Sequence, residues 1–197
     1  ERVDAAIAYA TNEGLLFQWC WDNEIPLRFW GRFDDEVPIK PSILEEFVKR
    51  ASARYVCKLV RHFHPKVIWW RGFGAYIGSA NLTDKAWTNN VEAGVFVTDD
   101  EMSATGTDLE LAHFFERIER EASPVTSELV DLLRRRQKEV SDTKSRESAS
   151  AQRQWETGLV KMWPGLVHSS EKVAKDERRR DFLQEWYSTL EILRGIA

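Results

Sequence analysis

Short apolar runs alternate with polar breaks along this chain, and the spacing inside each run predicts its element. Val3 to Ala10 is an apolar stretch ended by Thr11-Asn12-Glu13-Gly14, the pattern of a buried central strand and a turn. Leu15 to Trp21 reads as a helix and Leu27 to Gly31 as a strand. Arg32 to Pro41 holds two prolines with Asp34, Asp35 and Glu36, and reads as a surface loop. Ser42 with Glu45 three residues on is a capping-box pattern for a helix whose stripe is Ile43, Leu44, Phe47 and Val48. Strand signals then crowd together at Tyr55–Val60, Lys66–Trp70, Ala75–Gly78 and Val91–Thr98, with Gly72 and Gly74 marking a hairpin turn. Leu111, Phe114, Phe115 and Ile118 follow helical spacing and predict a helix from about Thr107 to Glu121.

Ser123-Pro124 reads as a boundary. Beyond it Thr126 caps a helix carrying Leu129, Leu132 and Leu133 and ending in Arg134-Arg135-Arg136. Residues 141–151 are small and polar, as in a linker or an exposed helix, and a last helix runs from about Glu171 to Leu193 with Arg178-Arg179-Arg180 near its start. The expected organisation is α/β: a mixed β-sheet flanked by helices over residues 1–122, then a mostly helical C-terminal extension over 123–197.

Composition narrows this picture. With 197 residues, 43% hydrophobic and 30% charged, the chain can bury a core and resembles neither a fibrous nor a disordered sequence. The formal net charge of -4 argues against a uniformly basic coat for nucleic acid, and the acidic excess lies in residues 1–109, with 16 Asp and Glu against 12 Lys and Arg. No apolar run approaches the roughly 20 residues of a membrane helix. Cys20 and Cys57 lack metal-ligand spacing, as do His62, His64, His113 and His168, so no metal and no cofactor is expected. Two buried thiols suit a reducing compartment, and the expectation is a cytoplasmic protein.

The candidate chemistry is concentrated in one stretch. If His64 to Trp70 is a strand, His64 and Lys66 point the same way and place a nucleophile beside a cation. Gly78 allows a close backbone approach, and Ser79 and Asn81 follow at the same two-residue spacing. Together they can converge on an anion. In order and spacing, His64, Lys66, Gly78, Ser79, Asn81 and Glu92 resemble the His-x-Lys, Gly-Ser-x-Asn and acidic signature of the phospholipase D-like superfamily. The run GAYIGSANLTDKAWTNNVEAGVFV looks like its small single-motif nucleases, and the resemblance spans residues 3–121. One position departs: Arg71 stands where the family motif continues with a structural Asp, which leaves open how the hairpin at Gly72 is braced.

The resemblance implies a metal-independent phosphodiesterase, an endonuclease acting on nucleic acid with DNA favoured over RNA, in a setting such as restriction of foreign DNA. Catalytic roles fall to His64, Lys66, Asn81 and Glu92. His64 would be nucleophile in one protomer and general acid in the other; Lys66 and Asn81 would bind phosphoryl oxygens with help from Ser79; Glu92 would hold the imidazole. Cleavage needs a nucleophile and a proton donor for the departing oxygen, and one His-x-Lys supplies half of that pair. A homodimer with a shared site is therefore expected. The C-terminal helices could bind a partner protein or clamp DNA; a phospholipase and an inactive interaction module are the alternatives, with no membrane-binding stretch evident. His62 reads as a rim residue and His113 as partly buried. Trp69 and Trp70 lie on opposite strand faces, at least one of them in the core, and the arginine runs read as wet helix faces.

Overall fold

The computed structural model describes residues 2–141. It divides into two compact units, Glu1–Arg134 and Arg135–Ala197, and of the second only 135–141, the end of a helix over 127–141, falls among the described residues. All but the first residue of the expected linker at 141–151 and the helix with Arg178-Arg179-Arg180 lie outside them, as does His168.

Unit one is built on a seven-stranded mixed sheet in the order β6-β5-β4-β1-β2-β3-β7. The strands are β1 (Val3–Ile7), β2 (Leu27–Arg32), β3 (Tyr55–Val60), β4 (Lys66–Trp70), β5 (Gly74–Gly78), β6 (Gly94–Thr98) and β7 (Ser123–Pro124). β1 is central and buried at every position, parallel to β2 and antiparallel to β4. Its apolar residues, interrupted only by the buried Asp4, fit a strand covered on both faces.

Successive residues of β2 point to opposite faces, and they show which helices cover each. Phe29 meets Phe17 of α1 (Phe17–Asp22) edge-on at 5.0 Å and stacks with Phe47 of α2 (Pro41–Lys49) at 6.0 Å. Trp30 faces the other way, 5.2 Å from Phe115 of α5 (Thr107–Glu121), in a core with Trp69, Met102, Leu111 and Ile118. The Trp30 indole N–H donates to Glu119 at 2.9 Å, which ties α5 to the sheet. Trp69 and Trp70 are both buried, Trp70 beside Phe96.

Several local expectations change. The first residue of α2 is Pro41, with Lys40 as its cap and no side-chain cap; Ser42 Oγ instead donates to Glu13, because Pro41 already supplies a preset first turn. The 32–41 loop is a surface feature only in its first half, since Val37, Pro38 and Ile39 are buried and Ile39 bridges Ala10. β6 starts at Gly94 rather than Val91, and two short helices flank it: α3 (Asp84–Thr88), capped by Thr83, and α4 (Asp99–Thr105), with a complete Thr98–Glu101 capping box. β7 joins the sheet edge beside β3, and the helix after it buries Val130 and Leu133 while Leu132 is exposed. His113 is exposed rather than partly buried.

Candidate active site

One end of the sheet gathers the carboxyl ends of β1, β2 and β5 with the amino ends of β4 and β6. Residues far apart in sequence meet there. β4 begins at Lys66, so His64 lies in the loop before it rather than on the strand. The pairing expected from strand alternation is nevertheless made: Lys66 Nζ lies 2.9 Å from His64 Nδ1, 3.2 Å from Nε2 and 2.9 Å from the His64 carbonyl oxygen. A neutral imidazole has one nitrogen lone pair, so a single ring nitrogen accepts from the ammonium. The Lys66 charge is the main cause that lowers the His64 pKa below its usual value, followed by desolvation and the charge of Arg32. Lys66 is itself buried, 7% exposed, and burial lowers its pKa while Glu92 opposes the shift.

The Gly78 turn is shaped by packing. A Cβ on Gly78 would meet the Tyr76 hydroxyl at 2.3 Å, and its partner Gly94 faces the same ring at 2.5 Å, so the missing side chain accommodates Tyr76 rather than a ligand. Tyr76 Oη also accepts from Ala80 N at 3.4 Å, holding the turn. Asn81 is fixed by β1: its Oδ1 accepts from Tyr9 N at 3.1 Å, and Leu82 next to it exchanges backbone bonds with Tyr9 and Thr11. This leaves Asn81 Nδ2 without a partner among the described residues, available to donate to an oxyanion.

Ser79 and Glu92 are joined to each other. Ser79 Oγ donates to Glu92 Oε2 and accepts from Ala93 N at 2.9 Å, while Asn90 Nδ2 donates to Glu92 Oε1 at 3.0 Å. The Ser79 bond, then Asn90, holds the Glu92 carboxyl below the usual carboxylate range, and Lys66 adds a smaller charge effect. Within the chain the imidazole therefore faces Lys66, and both Glu92 oxygens are taken by Ser79 and Asn90.

Two contributors have no signature in the linear motif. Arg32, at the end of β2, is near enough for its charge to act on both His64 and Lys66; it pairs with Asp34 and lies over the Tyr9 ring, 5.3 Å from its centroid. Tyr9 in turn positions Asn81. The signal that points to them is topological, since ligands of open α/β sheets collect at the carboxyl ends of parallel strands. Among the described residues no cluster of three or more His, Cys, Asp or Glu could hold a metal ion, and no helix is long and apolar enough to cross a membrane.

The family model described as cardiolipin synthase, phospholipase D-like domain, matches residues 33–113, a span that includes His64, Lys66, Ser79, Asn81 and Glu92. No curated protein sequence matches the chain significantly. Similar solved structures include NucT from Helicobacter pylori, at 16% identity over 63% of this chain and 82% of that one with a TM-score of 0.48. The phospholipase D family member Nuc from Salmonella typhimurium stands at 17% identity over the same shares, 63% and 82%, with a TM-score of 0.46. Phosphatidylserine synthase from Haemophilus influenzae Rd KW20 is 16% identical, over 76% of this chain but 40% of that one, with a TM-score of 0.54, a likeness of fold. Over residues 33–113 the chain matches the phospholipase D-like domain, and its mixed sheet with flanking helices has the phospholipase D-like fold.

Proposed function

We propose that this protein is a metal-independent phosphodiesterase cleaving nucleic acid, DNA before RNA, through a phosphohistidine on His64 at a site completed by a second copy of the chain. The observation that carries the reading is the His64–Lys66 contact: an imidazole kept neutral by a buried ammonium that has no carboxylate within salt-bridge reach among the described residues.

The geometry suits a phosphate better than an empty site. A diester brought to Lys66 replaces the imidazole as partner of the ammonium, with Asn81 Nδ2 and the Arg32 charge acting on the nonbridging oxygens as negative charge accumulates. A His64 ring nitrogen attacks phosphorus, the P–O bond opposite breaks, and the departing oxygen takes a proton from the second copy's His64. That imidazole, now neutral, accepts a proton from water as the water attacks the phosphohistidine, releasing a phosphomonoester and restoring both rings. The bound phosphate offsets the Lys66 charge, which lets one imidazole of the pair carry its proton. Glu92 lies on the segment leading into edge strand β6, where Val91, Val95 and Phe96 are exposed at 103%, 58% and 46%. A second copy covering this apolar edge would close the site at the segment that carries Glu92.

Labelled DNA and RNA incubated in EDTA, with the parent and with His64→Ala, test the reading. Cleavage should persist in EDTA, vanish in His64→Ala, and accompany a solution mass of twice the chain. Abolition by EDTA would overturn the mechanism and a strictly monomeric active enzyme the shared site. A second reading, hydrolysis or transfer of a phosphatidyl group, draws its support from the matched model's description as a cardiolipin synthase domain. Turnover of anionic phospholipid with no cleavage of either nucleic acid would favour it.

A further inference from the structure

Beside the His64 site, unit one holds an open groove of about 450 Å³ whose lining includes Phe33, Val60, Arg61, His62 and Glu121. Its size is within the ~300–1,000 Å³ range of ligand pockets. Two of its walls continue directly into the site: Phe33 follows Arg32, and Arg61-His62 precede His64 on the loop leaving β3. A backbone bond from Phe33 N to Val60 O, 2.9 Å, locks these walls together. His62, two residues before His64, adopts a left-handed backbone with φ of 53°, which L side chains rarely do.

The chemistry of the lining is mixed in a particular way. The exposed Arg61 guanidinium lies over the Phe33 ring, 5.4 Å from its centroid, and has no carboxylate partner among the described residues. Glu121, at the end of α5, lines the same groove without pairing to Arg61. An aromatic face with a stacked guanidinium matches a flat base and its phosphate, and a carboxylate in the same lining matches the N–H edge of that base. A lipid tail would place apolar chain against Arg61 and Glu121 and leave both charges unanswered.

We propose that this groove is a subsite for one unpaired nucleotide adjacent to the scissile phosphate, with its base against Phe33 and Arg61 and its amino edge toward Glu121. The assignment rests on the nuclease reading above and makes single-stranded nucleic acid the favoured substrate, because a paired base cannot enter.

The test compares the parent, Arg61→Ala and Phe33→Leu in the full chain on three diesters: a single-stranded oligonucleotide, the same strand with abasic nucleotides, and bis(4-nitrophenyl) phosphate, which carries no base. Arg61 is exposed and leucine keeps an apolar contact at Phe33, so both variants should fold. For the natural strand kcat/KM should fall about tenfold, mostly in KM, with a smaller loss on the other two substrates. Equal losses on all three, or none, would overturn the subsite while leaving the nuclease reading standing. Binding of the fluorescent natural and abasic strands to His64→Ala protein separates the two claims. Tighter binding of the natural strand, lost with Arg61→Ala, supports the subsite even if no nucleic acid is cleaved. Binding indifferent to the bases overturns it, as does Arg61-dependent capture of phosphatidylglycerol vesicles by a protein that ignores oligonucleotides.

Discussion

The paired strands β1 and β4 carry a charged cluster at each end, and the two clusters are built on opposite principles. At one end Asp4 is fully buried and faces two arginines: Arg2 at 2.8 Å and Arg71, which approaches with both Nε and Nη2 at 2.8 Å and lies over the Trp69 ring at 3.3 Å. At the other end, three positions along the paired strands from Asp4 and about 10 Å away at ~3.3 Å per residue, buried Lys66 meets a neutral imidazole and unpaired amide chemistry. In the first cluster every charged group has an ionic partner. The second is short of negative charge, and a buried cation left in that state is poised for an anionic ligand. The same comparison accounts for Arg71: where the family motif continues with an acid, this chain has a base, and the answering carboxylate is supplied from the neighbouring strand by Asp4.

Substitution should separate the two ends. Lys66→Met is expected to lower kcat/KM for a phosphodiester about thousandfold, roughly 4 kcal/mol of transition-state stabilisation, while the denaturation midpoint holds or rises because the isolated buried charge is gone. Steady-state kinetics beside urea unfolding checks this; a protein that unfolds without losing activity per folded molecule would place Lys66 in the frame instead. Arg71→Met should do the reverse. Removing one partner of the buried carboxylate should destabilise by about 3 kcal/mol, less than total loss because Arg2 remains, with activity per folded molecule changed only a few-fold. If it proved catalytically dead but stable, the distinction between the ends would fail.

How far these ends could be read beforehand differs for physical reasons. β1 and β2 were legible as short apolar runs bounded by polar breaks and α5 by its helical spacing, with the bounds expected, Thr107–Glu121. His64, Lys66, Ser79, Asn81 and Glu92 were legible as a linear motif because they come from neighbouring strands and turns. Asp4–Arg71 was not, since the partners are 67 positions apart and neither belongs to a periodic pattern. Tyr9 and Arg32 were hidden for the same reason, as strand ends brought together by parallel pairing alone. The short helices were missed although Thr98-Asp99-Asp100-Glu101 carries a capping-box signature, while the similar Ser42-Ile43-Leu44-Glu45 does not cap because Pro41 starts that helix one residue earlier.

The smallest effect expected is also the one that best resolves the site's internal partners. In the parent the His64 imidazole should titrate below its ordinary value of 6.5, since the nearby ammonium and guanidinium both penalise the protonated ring. The neutral, nucleophilic form then persists to lower pH, and the acid limb of kcat/KM shifts down with it. Lys66→Met should raise the imidazole pKa toward the ordinary value and Arg32→Gln should raise it less, following the order of the two charges. Carbon-bound ring proton shifts followed by NMR across pH 4 to 9, or about that span around the ordinary histidine value, give the readings directly. A carboxylate against the ring acts in the opposite sense, stabilising the imidazolium and lifting the pKa. If the parent histidine titrates above the ordinary value and falls in Glu92→Gln, then a Glu92 side chain, from the same chain or from a second copy, holds the ring in solution in place of Lys66. If it titrates low and rises when Lys66 is removed, the cationic end of the β1–β4 pair sets the protonation state, and Glu92 acts through Ser79 and Asn90 on the shape of the turn.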